Sequence, residues 1–234
     1  MTRMVLIRHG ETEDNRAGVL QGQAGKPLSE VGHAQARRLA QRLAPFRFDA
    51  CWTSDQPRAR ETAEHLVAVH DLVPLITRGL REVYVGTWQG KTPGEISEEY
   101  PEQYAAWMRG EDIARGGGET YEEVSVRCGA ALGSIAEAYP DGVVLIVSHG
   151  AALRSTMQRL LGLPLGALGG LHNTSISVFD YVVDGQKFSG DRHAWHDTHT
   201  LHVWNDTGHV LPDDEDALGS LLPRKDGTRA TRGT

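Results

Sequence analysis

Cysteine is scarce in this sequence, with only Cys51 and Cys128 among 234 residues. Two widely separated thiols cannot staple a small secreted fold, and their apolar surroundings predict buried free thiols in a reducing compartment. Positive charge is not in excess: 24 Lys and Arg face 31 Asp and Glu, a formal net charge of −7. That balance disfavours a nucleic-acid partner, which needs a basic face to displace counterions. No apolar run approaches the roughly 20 residues of a membrane span, so no membrane partner is expected. The longest run, Val143-Val144-Leu145-Ile146-Val147, fits a buried strand. The apolar stretch near the N-terminus ends at Arg8 and is too short for a signal peptide, which gives a cytoplasmic reading. The Asn-x-Ser/Thr matches at Asn173 and Asn205 are then unused. Gly-x-Gly-x-x-Gly, Walker-type and Cys-x-x-Cys patterns are absent, as are repeats and low-complexity tracts.

What is present alternates strand and helix. Residues 4–7 read as a short apolar strand ending at Arg8-His9-Gly10. Ser29 is placed to N-cap a helix whose Ala36, Leu39, Ala40 and Leu43 share one face, with Pro45 as its stop. Residues 49–53 form a second strand, and Ser54-Asp55-Gln56-Pro57 opens a helix with Pro in its first turn. Residues 73–76 make a third strand, residues 80–90 a loop, and residues 93–108 one or two short helices. Thr120 and Glu123 form a capping box ahead of Val124, Cys128, Ala131, Leu132 and Ile135 at helical spacing. Residues 143–147 are a further strand, with Ser148-His149-Gly150 as the turn into a helix over 151–161. Later strands fall at 173–181 and 200–205, toward an edge. This order predicts an α/β fold, a mainly parallel sheet covered on both faces. Residues 1–211 are read as one domain. Residues 212–234 are polar, Gly-rich and mixed in charge, and read as a mostly disordered tail.

In open parallel sheets the ligand site lies beyond the carboxyl ends of the strands. The first strand delivers Arg8 and His9 there, the second leads to Arg58, the third to Glu82, and the strand at 143–147 delivers His149. Taken singly, each has a bland reading: a packed or capping histidine, a surface helix arginine, a solvated loop carboxylate. Their convergence makes a phosphate site, because guanidinium groups bind phosphate oxygens bidentately and helix N-termini add N–H donors. In such a site one neutral imidazole attacks phosphorus while the other, protonated, supports the equatorial oxygens. Glu82 protonates the leaving oxygen and then activates water. The scheme needs no metal and no cofactor.

The segment Leu6-Ile7-Arg8-His9-Gly10-Glu11-Thr12, with Asn15 following, resembles the signature of the histidine phosphatase superfamily, also called phosphoglycerate mutase-like. Further blocks agree in order: Leu20-Gln21-Gly22, Pro27 to Gly32 with Gln35-Ala36, Ser54-Asp55 through Arg58-Ala59 to Thr62-Ala63, Leu80-Arg81-Glu82 with Gly86 to Gly90, Gly117 to Thr120, and Val147-Ser148-His149-Gly150. The resemblance implies a three-layer α/β/α sandwich and no metal. It makes His9 the phosphorylated nucleophile, Arg8, Arg58 and His149 the phosphate pocket, and Glu82 the proton donor. Asn15, Gln21, Gly22 and Gly150 line the substrate side. It implies a small phosphorylated metabolite as partner and a homodimeric habit. Mutase and phosphatase share the phosphohistidine. Only Val83 to Ser148 separates Glu82 from His149, without the longer basic insertion of cofactor-dependent mutases, which favours a phosphatase. A mutase-type phosphoryl transferase and a non-catalytic phosphoprotein-binding module are the alternatives. Segments Ala167 to Asn173 and Leu201 to Asn205 resemble actinobacterial glucosyl-3-phosphoglycerate phosphatases and suggest a sugar-phosphate or phosphoglycerate-type ester.

Two further patterns are set aside. His193, His196, His199 and His202 recur every third residue beside Asp197, but that spacing fixes no metal geometry, and a solvated loop is the simpler reading. Ser148 lacks one Gly of the nucleophile elbow of serine hydrolases. Among the tryptophans, Trp88 and Trp107 stand in loops near the expected pocket and are the two candidates for touching substrate.

Overall fold

Met4 and Leu6 face one side of strand β1 (Thr2–Arg8), Val5 and Ile7 face the other, and all four are buried. Strand β4 (Val143–Ser148) repeats the pattern, with Val144 and Ile146 on one side and Leu145 and Val147 on the other. A strand buried on both faces needs a continuous apolar run, which explains why these segments do not alternate with polar residues. The computed structural model describes residues 1–183, 199–209, 218 and 221–226.

Six strands form one sheet in the order β3-β2-β4-β1-β5-β6, with β2 at Ala50–Thr53, β3 at Pro74–Ile76, β5 at Ile176–Tyr181 and β6 at Thr200–Asp206. The pairs β3-β2, β2-β4 and β4-β1 are parallel, whereas β1-β5 and β5-β6 are antiparallel. Helices α2 (Glu30–Leu43) and α3 (Pro57–Val67) cover one face through Leu39, Leu43, Ala59, Ala63 and Leu66. Helices α6 (Tyr121–Ala138) and α7 (Gly150–Leu160) cover the other through Cys128, Leu132, Leu153 and Met157. The result is the expected α/β/α sandwich. A short helix α1 (Glu13–Arg16) follows β1, while α4 (Pro93–Glu99) and α5 (Pro101–Met108) shelter a smaller cluster around Trp88, Ile96 and Val124. Cys51 and Cys128 are free and buried, and no helix among the described residues is long and apolar enough to cross a membrane.

Two expectations need correction. The strand read from residue 173 begins at Ile176, because Asn173 and Thr174 turn the chain, with Thr174 at φ 58°. The segment from 212 onward is not wholly a solvated tail: Leu218 and Leu222 are buried against the α2–α3 face. There the Arg47 N–H donates to the Pro223 carbonyl at 2.8 Å and the Lys225 N–H to the Pro45 carbonyl at 2.8 Å. Two leucines in a polar segment are enough to anchor it, and composition averaged over the segment hides them. Of the histidine repeat, His193, His196 and Asp197 lie outside the described residues. His199 packs against Tyr181 and Phe179, and His202 Nε2 bonds Asp180 at 2.8 Å.

Candidate active site

Because β3, β2, β4 and β1 run parallel, their carboxyl ends share one edge of the sheet. The register pairs Arg8 with Ser148 and Thr53 with both Val147 and Ile76, so the following loops start at one level. His9 and His149 emerge there with ring centroids 5.1 Å apart, and both are buried. His9 N–H donates to the Ser148 carbonyl at 3.0 Å and Gly10 N–H to Thr62 Oγ1 at 3.0 Å, which fixes the backbone around the imidazole.

The His9 ring has a defined orientation. Its Nδ1 lies 2.7 Å from the Gly10 carbonyl, an acceptor only, so Nδ1 carries the proton. Nε2 is left with its lone pair and accepts from Arg58 Nε at 3.2 Å. Burial, then the charges of Arg58 and Arg8, hold this imidazole well below its ordinary value of 6.5. The neutral form therefore persists beside two guanidinium groups.

Arg58 stands in the first turn of α3, after Pro57, and is buried. Its Nη1 donates to the Ala24 carbonyl at 2.9 Å and its Nη2 to the Gly22 carbonyl at 2.8 Å. Gly22 has φ +54°, and a Cβ there would meet Gln89 Oε1 at 2.7 Å, so this turn requires glycine. Burial lowers the Arg58 guanidinium to about 10, with Glu82 opposing, and it stays charged at neutral pH. Arg8 donates from Nη1 to the Leu171 carbonyl, while its buried Nε meets no partner among the described residues. A Cβ at Gly150 would lie 3.4 Å from that Nε, so Gly150 leaves this side of the guanidinium uncrowded.

His149 is the N-cap residue of α7, and neither ring nitrogen meets a partner among the described residues. Without a phosphoryl group in the site, burial, then Arg58, His9 and Arg8, hold His149 well below its ordinary value of 6.5. A bound phosphate dianion would oppose the two guanidinium charges and so favour uptake of a proton by His149. With two imidazoles buried neutral, the unfolded chain takes up protons below 6.5 that the native chain refuses. Native stability should therefore fall as pH drops through 6.5, by up to about 1.4 kcal/mol per pH unit for each group. Thermal melts at pH 7.5, 6.5 and 5.5 test this. Inorganic phosphate should reduce the loss.

Glu82 follows the 3₁₀ turn Arg78–Leu80. Its Oε1 accepts from the Val83 and Ala152 N–H groups, both at 2.9 Å, and its Oε2 from Ala151 N–H at 3.2 Å. The carboxyl group thus docks on the N-terminus of α7 and satisfies N–H donors that the helix leaves unpaired. Gln56 bridges the two sides of the pocket: its Nε2 donates to the Gly22 carbonyl at 3.2 Å and its Oε1 accepts from Glu82 N–H at 2.8 Å. Asn15 Oδ1 is taken up by the Thr12 N–H that it caps and by Asn173 Nδ2 at 3.3 Å. Gln21 is buried with Oε1 unpartnered among the described residues. The same Asn173 Nδ2 donates to the His9 carbonyl at 3.0 Å, and Thr174 N–H to the Arg8 carbonyl at 2.9 Å.

Gln56, Asn173 and Thr174 were not identifiable as site residues in advance, since their roles lie in contacts between distant segments. A Gln ahead of the helix-opening Pro57 was the one available hint. Of the two tryptophans, Trp88 is fully buried core rather than a substrate contact, and Trp107 is half-buried with its ring 5.8 Å from that of Trp88.

A glucosyl-3-phosphoglycerate phosphatase of Mycobacterium tuberculosis is 32% identical over 223 residues, 90% of this chain and 97% of that protein. A metal-independent phosphoserine phosphatase of Arabidopsis thaliana is 36% identical over 183 residues, 76% of each chain. The structure of a phosphoserine phosphatase mutant from Entamoeba histolytica in complex with phosphoserine superposes with a TM-score of 0.76 at 28% identity, covering 90% of this chain and all of that one. Residues 4–192 match the family model of the histidine phosphatase superfamily, branch 1, and the chain belongs to that family as a phosphatase of small phosphorylated metabolites.

Proposed function

We propose that this protein is a metal-independent phosphomonoesterase that works through a phosphohistidine on His9. One observation carries the reading: His9 offers a lone pair at Nε2, fixed by the Nδ1–Gly10 bond and aimed at the guanidinium of Arg58. A phosphoryl group placed between them meets a nucleophile and its charge stabilisers together. The Nε2 lone pair attacks phosphorus, the ester P–O bond breaks, and a proton that Glu82 holds when the ester is bound passes to the departing alkoxide. Water then attacks the phosphohistidine, Glu82 takes its proton, and inorganic phosphate leaves with His9 neutral again. Arg8, Arg58 and His149 hold the equatorial oxygens throughout. Asn15, Gln21, Gly22 and Gly150 form the rim on the substrate side.

The named substrates of the relatives, glucosyl-3-phosphoglycerate and phosphoserine, support a small phosphorylated carboxylic acid as the ester. Buried free thiols support a cytoplasmic setting. The exposed Val73, Leu75 and Ile76 at the β3 edge support a homodimer.

The test is phosphate release with EDTA present from a panel of an aryl phosphate, 3-phosphoglycerate, glucosyl-3-phosphoglycerate and several sugar phosphates. Release that survives EDTA supports the reading. Phosphoryl transfer that needs a bisphosphate primer would favour the mutase, and no turnover by folded protein the binding module. The acid role of Glu82 has its own check. Glu82→Gln should slow alkyl esters by about 10²- to 10⁴-fold, the usual worth of a general acid, and slow aryl esters with good leaving groups much less. Equal slowing would remove Glu82 as the acid.

A further inference from the structure

Glu82 stands in residues 81–85, which belong to no helix or strand and link the 3₁₀ turns Arg78–Leu80 and Gly86–Trp88. A segment of this kind has no ladder for its backbone to bond into, so its carbonyls must find partners elsewhere. One side chain supplies most of them. Arg127, on α6, donates from Nη1 to the carbonyls of Gly79 at 2.9 Å and Arg81 at 3.1 Å, and from Nη2 to that of Glu82 at 3.4 Å. Ser148 Oγ donates to the Leu80 carbonyl at 2.7 Å, and Gln23 Nε2 to the Glu82 carbonyl at 3.1 Å. Every carbonyl from Gly79 to Glu82 is thus held from outside the segment, and all but that of Leu80 by the same guanidinium.

That guanidinium is itself fixed. Glu119 accepts from its Nε at 2.9 Å on Oε1 and from its Nη2 at 3.0 Å on Oε2, the bidentate fork of an arginine–carboxylate pair. Glu119 also reaches the far side of Glu82: its Oε2 accepts from Tyr84 N–H at 2.8 Å, and its own N–H donates to the Tyr84 carbonyl at 2.7 Å. A Cβ at Gly118 would lie 2.0 Å from that carbonyl, so the close approach requires glycine there. None of these bonds touches the Glu82 carboxyl group, which is held by the N–H groups of Val83, Ala151 and Ala152. The pair therefore acts on the backbone that carries the acid, and the reach of a carboxyl group toward a leaving oxygen depends on where its Cα is kept. We propose that Arg127 and Glu119 are positioning residues for proton transfer, which hold the Glu82 backbone so that its carboxyl group meets the leaving oxygen. The proposal rests on the phosphatase reading with Glu82 as the acid.

The experiment is a double-mutant cycle of Arg127→Met and Glu82→Gln, read as kcat/KM on an alkyl phosphate and on an aryl phosphate with a good leaving group. Arg127→Met should slow the alkyl ester by about 10- to 100-fold, the cost of a misplaced catalytic group, and the aryl ester much less. In the Glu82→Gln background, where no acid is left to misplace, the same substitution should cost less than about threefold. Arg127→Lys keeps a positive charge but cannot span the carbonyls and the Glu119 fork together, so it should share most of the alkyl-ester loss. Glu119→Gln should show the same dependence on the leaving group. A merely structural role would slow both esters alike and would multiply with Glu82→Gln. Either result, or an Arg127→Lys protein with wild-type rates, would overturn the proposal. Should Arg127→Met fail to fold, shown by lost aryl-ester turnover and a lost melting transition, Arg127→Lys and Glu119→Gln give the same two ratios. Failure of the acid reading would show separately, in Glu82→Gln alone, as equal slowing of both esters.

Discussion

Replacing His9 by Ala should lower kcat by more than about 10⁴-fold on every ester the protein hydrolyses, as removal of a covalent nucleophile does. The effect should be on turnover rather than on binding, because the pocket survives the substitution. Arg58 is anchored by the carbonyls of Gly22 and Ala24, and Arg8 by that of Leu171, none of which involves the imidazole. The backbone bonds that close the site, from His9 N–H to Ser148 and from Gly10 N–H to Thr62, also remain. The variant should therefore bind vanadate or inorganic phosphate while releasing none from substrate. Rapid acid-free quenching of wild-type protein with radiolabelled ester should trap label on one histidine, and the variant should trap none. Full activity in His9→Ala, or label on His149, would reassign the nucleophile.

This prediction was accessible from sequence, since a strand-to-loop junction places its residue wherever the strand ends. Four apolar strands at 4–7, 49–53, 73–76 and 143–147, each followed by a chemically distinctive residue, are enough to locate the site once the sheet is taken as parallel. Pro57 made the helix start legible and with it the position of Arg58. The docking of Glu82 on the α7 N–H groups was not legible, because the loop from 80 to 90 has no periodicity and its carboxylate bonds across 69 and 70 residues. The clamp of Asn173 and Thr174 on β1 was hidden for the same reason, and a β-branched residue at φ 58° runs against local preference. Strain of that kind is held by surrounding contacts: Thr174 Oγ1 bonds the Asn173 carbonyl at 2.7 Å and lies 3.0 Å from His209 Nε2. Protonation states were hidden too. The residue types suggested one charged histidine, and only the burial of both rings between two guanidinium groups shows that both rest neutral.

Arg58→Met should produce the second large loss, about 10²- to 10⁴-fold in kcat/KM, since one preorganised donor to a developing phosphoryl charge is commonly worth 10²–10³ and this one also orients the nucleophile. The substitution separates charge from geometry when paired with Arg58→Lys. Burial and then Arg58 are the leading causes of the low His9 value, so removing the charge raises it toward 6.5. A nucleophile with a raised value is protonated, and lost, at a higher pH. Arg58→Met should therefore bring the acid-side fall in kcat/KM to a higher pH than in the wild type, read as the ratio of variant to wild type so that titration of the ester cancels. Arg58→Lys keeps the charge but not the fork that reaches Gly22 and Ala24, so it should lose rate without moving the acid-side fall. Should both variants show the same pH profile as wild type, the neutrality of His9 would owe nothing to Arg58, and burial alone would have to account for it.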